Sequence, residues 1–162
     1  MVDIETRIFG KVSIGEDRVI TFANGILGFP DLKRFTLLHD VARGSDAGIH
    51  YLQSIDEPGF AMPVMNPMIV RPDYNPKVQE EYLAPVGDIT KEETLLFVTL
   101  TVPGDVKKMT VNLRAPIIIN VERRTACQLI AEGDEYDIKY AIYDIVMANR
   151  DNQKDMMKKA GE

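Results

Sequence analysis

Met109 to Val121 reads MTVNLRAPIIINV, two apolar segments that meet at an Ala-Pro step. Pro116 has no N–H to give a ladder, and Ala115 before it is pushed toward extended geometry, so the stretch reads as strand, break, strand. Ile117, Ile118 and Ile119 are three consecutive β-branched side chains with no polar face, which predicts a strand covered on both sides. One asparagine, Asn112, precedes the proline and another, Asn120, follows it. Two roles are open to them: backbone hydrogen bonding at strand ends, or contact with a partner.

Working outward, Leu95 to Val102 (LLFVTLTV) predicts a central strand beside this stretch, with Pro103-Gly104-Asp105 as the turn between them. Glu122-Arg123-Arg124-Thr125 is a polar break that pairs the isoleucine strand with Ala126 to Ile130 as a hairpin. At the start of the chain, Val2 to Ile8 alternates polar and apolar residues, the period-two signature of a half-buried strand near an edge. Val12 and Ile14 continue that alternation into a meander that resumes at Arg18 to Phe22.

Asn24 to Asp31 collects turn formers around Ile26, Leu27 and Phe29 and predicts a structured loop packed down by those three residues. Its glycines lack the third member and the strand-turn-helix context of a dinucleotide fingerprint. Further strands are expected at Phe35 to Leu38, Ile49 to Ile55, Phe60 to Met65 and Met68 to Val70. The loop His39 to Gly48 is expected to be mobile, and Pro63 argues for an edge or a bulge. Helical turns are expected at Leu32 to Phe35 and Lys77 to Leu83, and Thr90 with Glu93 carries a capping-box signal.

From Ile138 onward, Ile142, Ile145 and Val146 fall at helical spacing and predict a C-terminal helix that covers a sheet edge. The resulting fold class is all-β with minor α: a small antiparallel β-barrel or strongly curved sheet with short helices and a C-terminal helical tail. The domain division is a barrel-like unit over residues 1–137 and a helical extension over 138–162.

At 162 residues the chain is long enough to bury a core as one domain, and a single cysteine permits no internal disulfide. The absence of a membrane-length apolar stretch or a leader-like start predicts a cytoplasmic protein that makes no membrane contact. A net charge of −6 disfavours direct nucleic-acid binding and favours a basic protein partner. His39 and His50 stand outside any zinc-ligand spacing, so no metal is expected. Cys127 lies in a predicted strand, where a lone thiol is usually a packing residue. The run Glu132 to Asp137 lacks the geometry of a calcium loop and reads as a solvated turn. These readings point to no cofactor and no enzyme.

Three stretches carry a family likeness: FANGILGFPDLKRFTLL; YLQSIDEPGFAM followed by NPMIVRPDY; and LTVPGDVKKMTVNLRAPIIINVERRTACQLI. In order and spacing they resemble the flagellar assembly factor FliW family, over about Ile4 to Ile138. The resemblance implies a small β-barrel-like cytoplasmic protein without catalysis, which binds flagellin and the RNA-binding regulator CsrA. It further implies that binding CsrA away from its RNA surface relieves repression of flagellin translation, and that excess flagellin titrates the factor away. The chain departs from the family pattern after Tyr136 to Tyr140, where members often stop and this sequence continues.

Partner contact is expected at predicted strand ends within the matching stretches: Gln53, Asp56, Pro58 and Phe60; Asn66; and Asn112, Ala115, Pro116 and Asn120. The competing reading is a small β-barrel enzyme or ligand-binding module using Cys127 or the carboxylates.

Overall fold

A computed structural model describes residues 1–39, 49–87 and 94–149. Eleven strands occur among them: β1 (Val2–Thr6), β2 (Gly10–Ile14), β3 (Ile20–Phe22), β4 (Arg34–His39), β5 (Ile49–Ser54), β6 (Ala61–Met65), β7 (Thr94–Thr101), β8 (Thr110–Val111), β9 (Ile117–Asn120), β10 (Thr125–Gln128) and β11 (Tyr140–Ala141). Seven of them close into a barrel in the order β3, β4, β5, β6, β7, β9, β10, with β10 returning to β3. Every seam is antiparallel except β10–β3, where Thr125 lies beside Thr21 and Ala126 beside Phe22 in parallel. An odd number of strands cannot alternate direction all the way round, so one seam has to be parallel. The antiparallel barrel expected from sequence is observed, with that single exception.

The isoleucine strand is covered on both faces, as its composition requires. Ile117 and Ile119 enter the barrel core with Phe22, Phe35, Leu52 and Phe97. Ile118 points the other way and packs with Val86 and Cys127, flanked by Val78, Leu83 and Leu129. Each such buried side chain contributes about 1.5 to 3 kcal/mol by leaving water. The neighbour of β9 is β7, pairing Leu96 with Ile118 and Phe97 with Ile117.

A second core lies beyond the barrel, where β7 runs on to pair with β8 and β8 with β11. Met65, Tyr74, Val98, Leu100, Leu113, Tyr136 and Ile142 fill it. The buried Tyr74 hydroxyl donates to the Leu113 carbonyl, and the Tyr136 hydroxyl accepts from the Asn75 N–H at 2.8 Å. The Arg71 guanidinium lies over the Tyr136 ring, 4.7 Å from its centroid. The hairpin β1–β2 forms its own two-stranded sheet, and the Arg7 N–H donates to the Gln53 side-chain oxygen at 3.1 Å.

Several local expectations are corrected. Leu32 to Phe35 forms no helical turn; Arg34 and Phe35 already belong to β4, because Phe35 is needed in the barrel core. Met68 to Val70 is no strand but part of a tight 3-10 turn, Pro67–Ile69, whose Met68 N–H donates to the Asn66 side-chain oxygen. The helix expected at Lys77 to Leu83 is a 3-10 segment displaced to Glu80–Val86, and Pro85 inside it denies an α-helical hydrogen bond. His39 does not open a loop: it ends β4 directly opposite His50. Pro63 pairs with Tyr51 of β5 outside the short ladder to β7, which holds only Val64 and Met65.

The C-terminal helix starts later than Ile138, since Tyr140 and Ala141 are first used as a strand; it occupies 143–149. Ile145 and Val146 then pack on the second core. Residues 40–48 of the stretch expected as a loop, the capping-box residues Thr90 and Glu93, and residues 150–162 lie outside the described residues.

Candidate functional site

Strand direction sorts the candidate residues between the two ends of the barrel. β3, β5 and β10 run toward one end, where their exits Phe22, Ser54 and Gln128 meet the start of β9 at Ile117. The loops carrying Gln53, Asp56, Pro58 and Phe60, and Asn112, Ala115 and Pro116, therefore share this end. Asn66, which follows β6, and Asn120, which closes β9, lie at the opposite end.

The turn after β5 is built from within. The Gln53 amide is buried and donates to the carbonyls of Ser54 at 2.9 Å and Pro58 at 3.1 Å. The Ser54 hydroxyl accepts from the Glu57 N–H at 3.0 Å, and the Phe60 N–H donates to the Glu57 carbonyl at 3.0 Å. Asp56 stands outside, held by Nε and Nη2 along one edge of the Arg34 guanidinium, with Nε to Oδ2 at 3.1 Å. That hydrogen bond holds the Asp56 carboxyl below the usual carboxylate range.

Phe60 is half-buried against the barrel core, and its ring meets Phe29 edge to face at 4.7 Å. Phe29 itself is 48% exposed and Leu27 is 45% exposed. The expectation that Ile26, Leu27 and Phe29 all pack their loop down is thus corrected: only Ile26 is buried. Two features enforce this. Gly25 has a positive φ of 67°, and a Cβ there would stand 2.5 Å from the Pro30 carbonyl oxygen, so the loop folds back at this glycine. Ile26 and Phe29 then exchange backbone hydrogen bonds across a tight turn at Leu27-Gly28, which pushes the Leu27 and Phe29 side chains outward.

The same loop reaches the Asn112 turn. The Leu27 N–H donates to the Gln128 side-chain oxygen at 3.0 Å, and the Gln128 amide donates to the Ala115 carbonyl at 3.2 Å. The Asn112 side-chain oxygen accepts from the N–H groups of Arg114 and Ala115, at 3.1 and 3.2 Å, and shapes the break before Pro116. One end of the barrel thus presents Phe60, Phe29, Leu27 and the Asn112 turn as a connected surface. Beside it, a groove of about 530 Å³ is lined by residues 24–28 and Pro30, by Tyr82, Ala84 and Pro85 of the 3-10 segment, and by Cys127, Gln128 and Leu129. Burial pushes the Cys127 thiol up to about 11, away from the thiolate a nucleophile needs.

The model of the FliW protein family matches residues 3–142. The chain belongs to the FliW family. It is 43% identical over 144 residues to the flagellar assembly factor FliW of Lachnospira eligens, an alignment covering 88% of this chain and 95% of the relative. Against the flagellar assembly factor FliW of Bdellovibrio bacteriovorus the identity is 34% over 140 residues, covering 86% and 78%. A crystal structure of the flagellar assembly factor FliW shares the fold with a TM-score of 0.79 at 29% identity, covering 88% of this chain and 97% of that one. FliW family membership makes the chain a flagellar assembly factor.

Within this FliW-family barrel, the residues expected from sequence divide by exposure. Asp56, Pro58 and Asn66 are exposed, Phe60 and Asn112 are half-buried, and Gln53, Ala115, Pro116 and Asn120 are buried. The Asn120 amide donates to the Val86 carbonyl at 2.9 Å, and its oxygen accepts from the Arg123 N–H at 3.1 Å. Sequence reasoning passed over Leu27, Phe29 and Gln128 as surface and linking residues. The signal available was the pair Gly25 and Gly28, which brackets a turn too tight to bury its central side chains. No helix among the described residues is long and apolar enough to cross a membrane.

Proposed function

We propose that this protein binds flagellin and the RNA-binding translational regulator CsrA in the cytoplasm, in turn and not together, and that it relieves CsrA repression of flagellin translation by this exchange. The observation that carries the reading is the exposed apolar surface of Phe29 and Leu27, held beside Phe60 on one end of the barrel. Aromatic anchors at the centre of an exposed apolar patch are the groups that dominate protein interfaces. The excess of acidic residues supports a basic protein partner over nucleic acid, since a net charge of −6 repels phosphate. A thiol pushed up by burial supports a binding role over nucleophilic catalysis.

The experiment is CsrA binding measured at rising flagellin concentration. Exclusive binding requires either overlapping sites or a negative coupling of at least about 1 to 3 kcal/mol, and the coupling must be returned in full when the titration is reversed. Running Asn112→Ala, Phe29→Ala and Phe60→Ala alongside tells the two arrangements apart. Joint loss of both partners without unfolding indicates overlap, and separate loss indicates coupled sites. A stable ternary complex with unchanged affinities would overturn the proposal.

A further inference from the structure

We propose that the mouth of the barrel at its Asn120 end binds a small apolar carboxylate, an aromatic or branched-chain acid whose head is held by Arg18 and Arg124. This mouth lies at the end opposite Phe29 and Phe60, so the proposal is independent of the partner exchange above. A cavity of about 170 Å³ opens there, walled by Ile20 of β3, Leu37 of β4, Leu95 of β7 and Ile119 of β9. Ile20 and Ile119 belong to the barrel core and Leu37 packs against it; Leu95 is the cross-strand partner of Ile119, so all four take inward positions. Two residues further in on the same strands, Phe22, Phe35, Phe97 and Ile117 fill the next layer. The packed core thus stops one layer short of this end, and Leu95, though inward, keeps 41% of its surface exposed. A cavity of about 150 Å³ is enough for a benzene ring, and barrel mouths are favoured places for small-molecule sites.

The rim selects the charge of the guest. Asp17, Arg18, Val121 and Arg124 complete the lining. Arg18 Nη2 donates to the Leu37 carbonyl at 3.2 Å and Arg124 Nη1 to the Glu16 carbonyl at 3.3 Å, which holds both guanidinium groups at the mouth. Each bond takes one of the five N–H groups of a guanidinium, and a carboxylate pairs with two. Asp17, the acid among the lining residues, is turned back into its own turn: a Cβ added to Gly15 would stand 2.3 Å from its Oδ1. Two arginines against one aspartate leave the lining net positive in a chain that is acidic as a whole, so the local field favours an anion.

Backbone strain points to the same side chain. Among the described residues Arg124 is the one non-glycine with a positive φ, 57°. Its N–H closes the hairpin turn onto the Asn120 carbonyl at 2.8 Å, in a conformation that glycine adopts at less cost. A long cationic side chain therefore stands where the backbone disfavours it, and strain of this kind gathers at functional sites.

The test is an amide-resolved NMR titration of the isotopically labelled full chain with sodium phenylacetate, with phenylacetamide and sodium acetate as controls. Phenylacetate binds with a dissociation constant of about 1 mM or tighter, and the shifts gather on the residues that line the mouth. Phenylacetamide, which lacks the charge, and acetate, which lacks the apolar body, bind at least about tenfold more weakly. Arg124→Gly relieves the backbone, so its melting temperature stays within about 3 °C of the parent or rises, while its affinity for phenylacetate falls about tenfold or more. Val121→Asp, at an exposed position of the rim, sets a negative charge beside the bound carboxylate and weakens binding in the same way. No saturating shift at the mouth up to about 10 mM phenylacetate, an affinity kept in either variant, or phenylacetamide binding as tightly as the acid overturns the proposal.

Discussion

The rings of Phe29 and Phe60 meet edge to face at 4.7 Å, and through this contact an exposed loop residue is seated on a side chain anchored in the barrel core. The two residues divide the work of one surface. Phe60→Ala opens a cavity beside Phe35 and is expected to cost about 2 to 3 kcal/mol, less than a fully buried phenylalanine because part of its surface already meets solvent. Phe29→Ala costs about 1 kcal/mol or less, mostly the aromatic pair. Urea melts and partner binding measured on both variants check this: Phe29→Ala loses affinity at nearly unchanged stability, whereas Phe60→Ala loses both.

Ile118 packs outward from β9 in one apolar cluster with Val86 of the covering segment and with Cys127, its cross-strand partner on β10. Ile118→Asp places an unpaired charge in that apolar layer, a cost of several kcal/mol against a total folding free energy of about 5 to 15 kcal/mol. The expected outcome is loss of the cooperative thermal transition. A melt like that of the parent protein would show that the layer over β9 is not tight.

Asn120 joins the end of β9 to the Glu80–Val86 segment and to the following hairpin turn. Asn120→Ala removes one donor to the Val86 carbonyl, which the Thr125 hydroxyl also meets at 3.1 Å, and it removes the acceptor of the Arg123 N–H. A loss of about 1 to 3 kcal/mol is expected from breaking buried polar contacts. Equilibrium unfolding measures it, and hydrogen exchange should rise first in residues 80–86.

Tyr74 gives the fold an alkaline limit. Burial first, and then the neighbouring Tyr136, hold its hydroxyl above the ordinary phenol range, against a partial opposing effect of Arg71. The folded state therefore keeps a proton that the unfolded chain releases above about pH 10, so stability is complete below that value and declines as pH rises beyond it. Tyr74→Phe loses the bond to the Leu113 carbonyl and costs about 1 to 2 kcal/mol at neutral pH. Above about pH 10 the gap between the variant and the parent narrows, which denaturant titrations at neutral and alkaline pH would follow.

What the sequence determined by itself was local. A proline before three β-branched residues specifies a break followed by a strand, and an unbroken apolar run specifies cover on both faces; Ile117, Ile118 and Ile119 met both conditions. Asn112 was legible as a turn former for the same reason, because its partners Arg114 and Ala115 lie within three residues. The barrel's closure was not legible. Periodicity tells which face a side chain takes but not which strand lies beside it, so the β7–β9 seam, the parallel β10–β3 seam and the meeting of His39 with His50 depended on how the whole sheet curls. The outward turn of Leu27 and Phe29 belongs to the same class: an apolar residue in a loop reads as packed until the backbone is seen to fold back at Gly25 and leave it no core to reach.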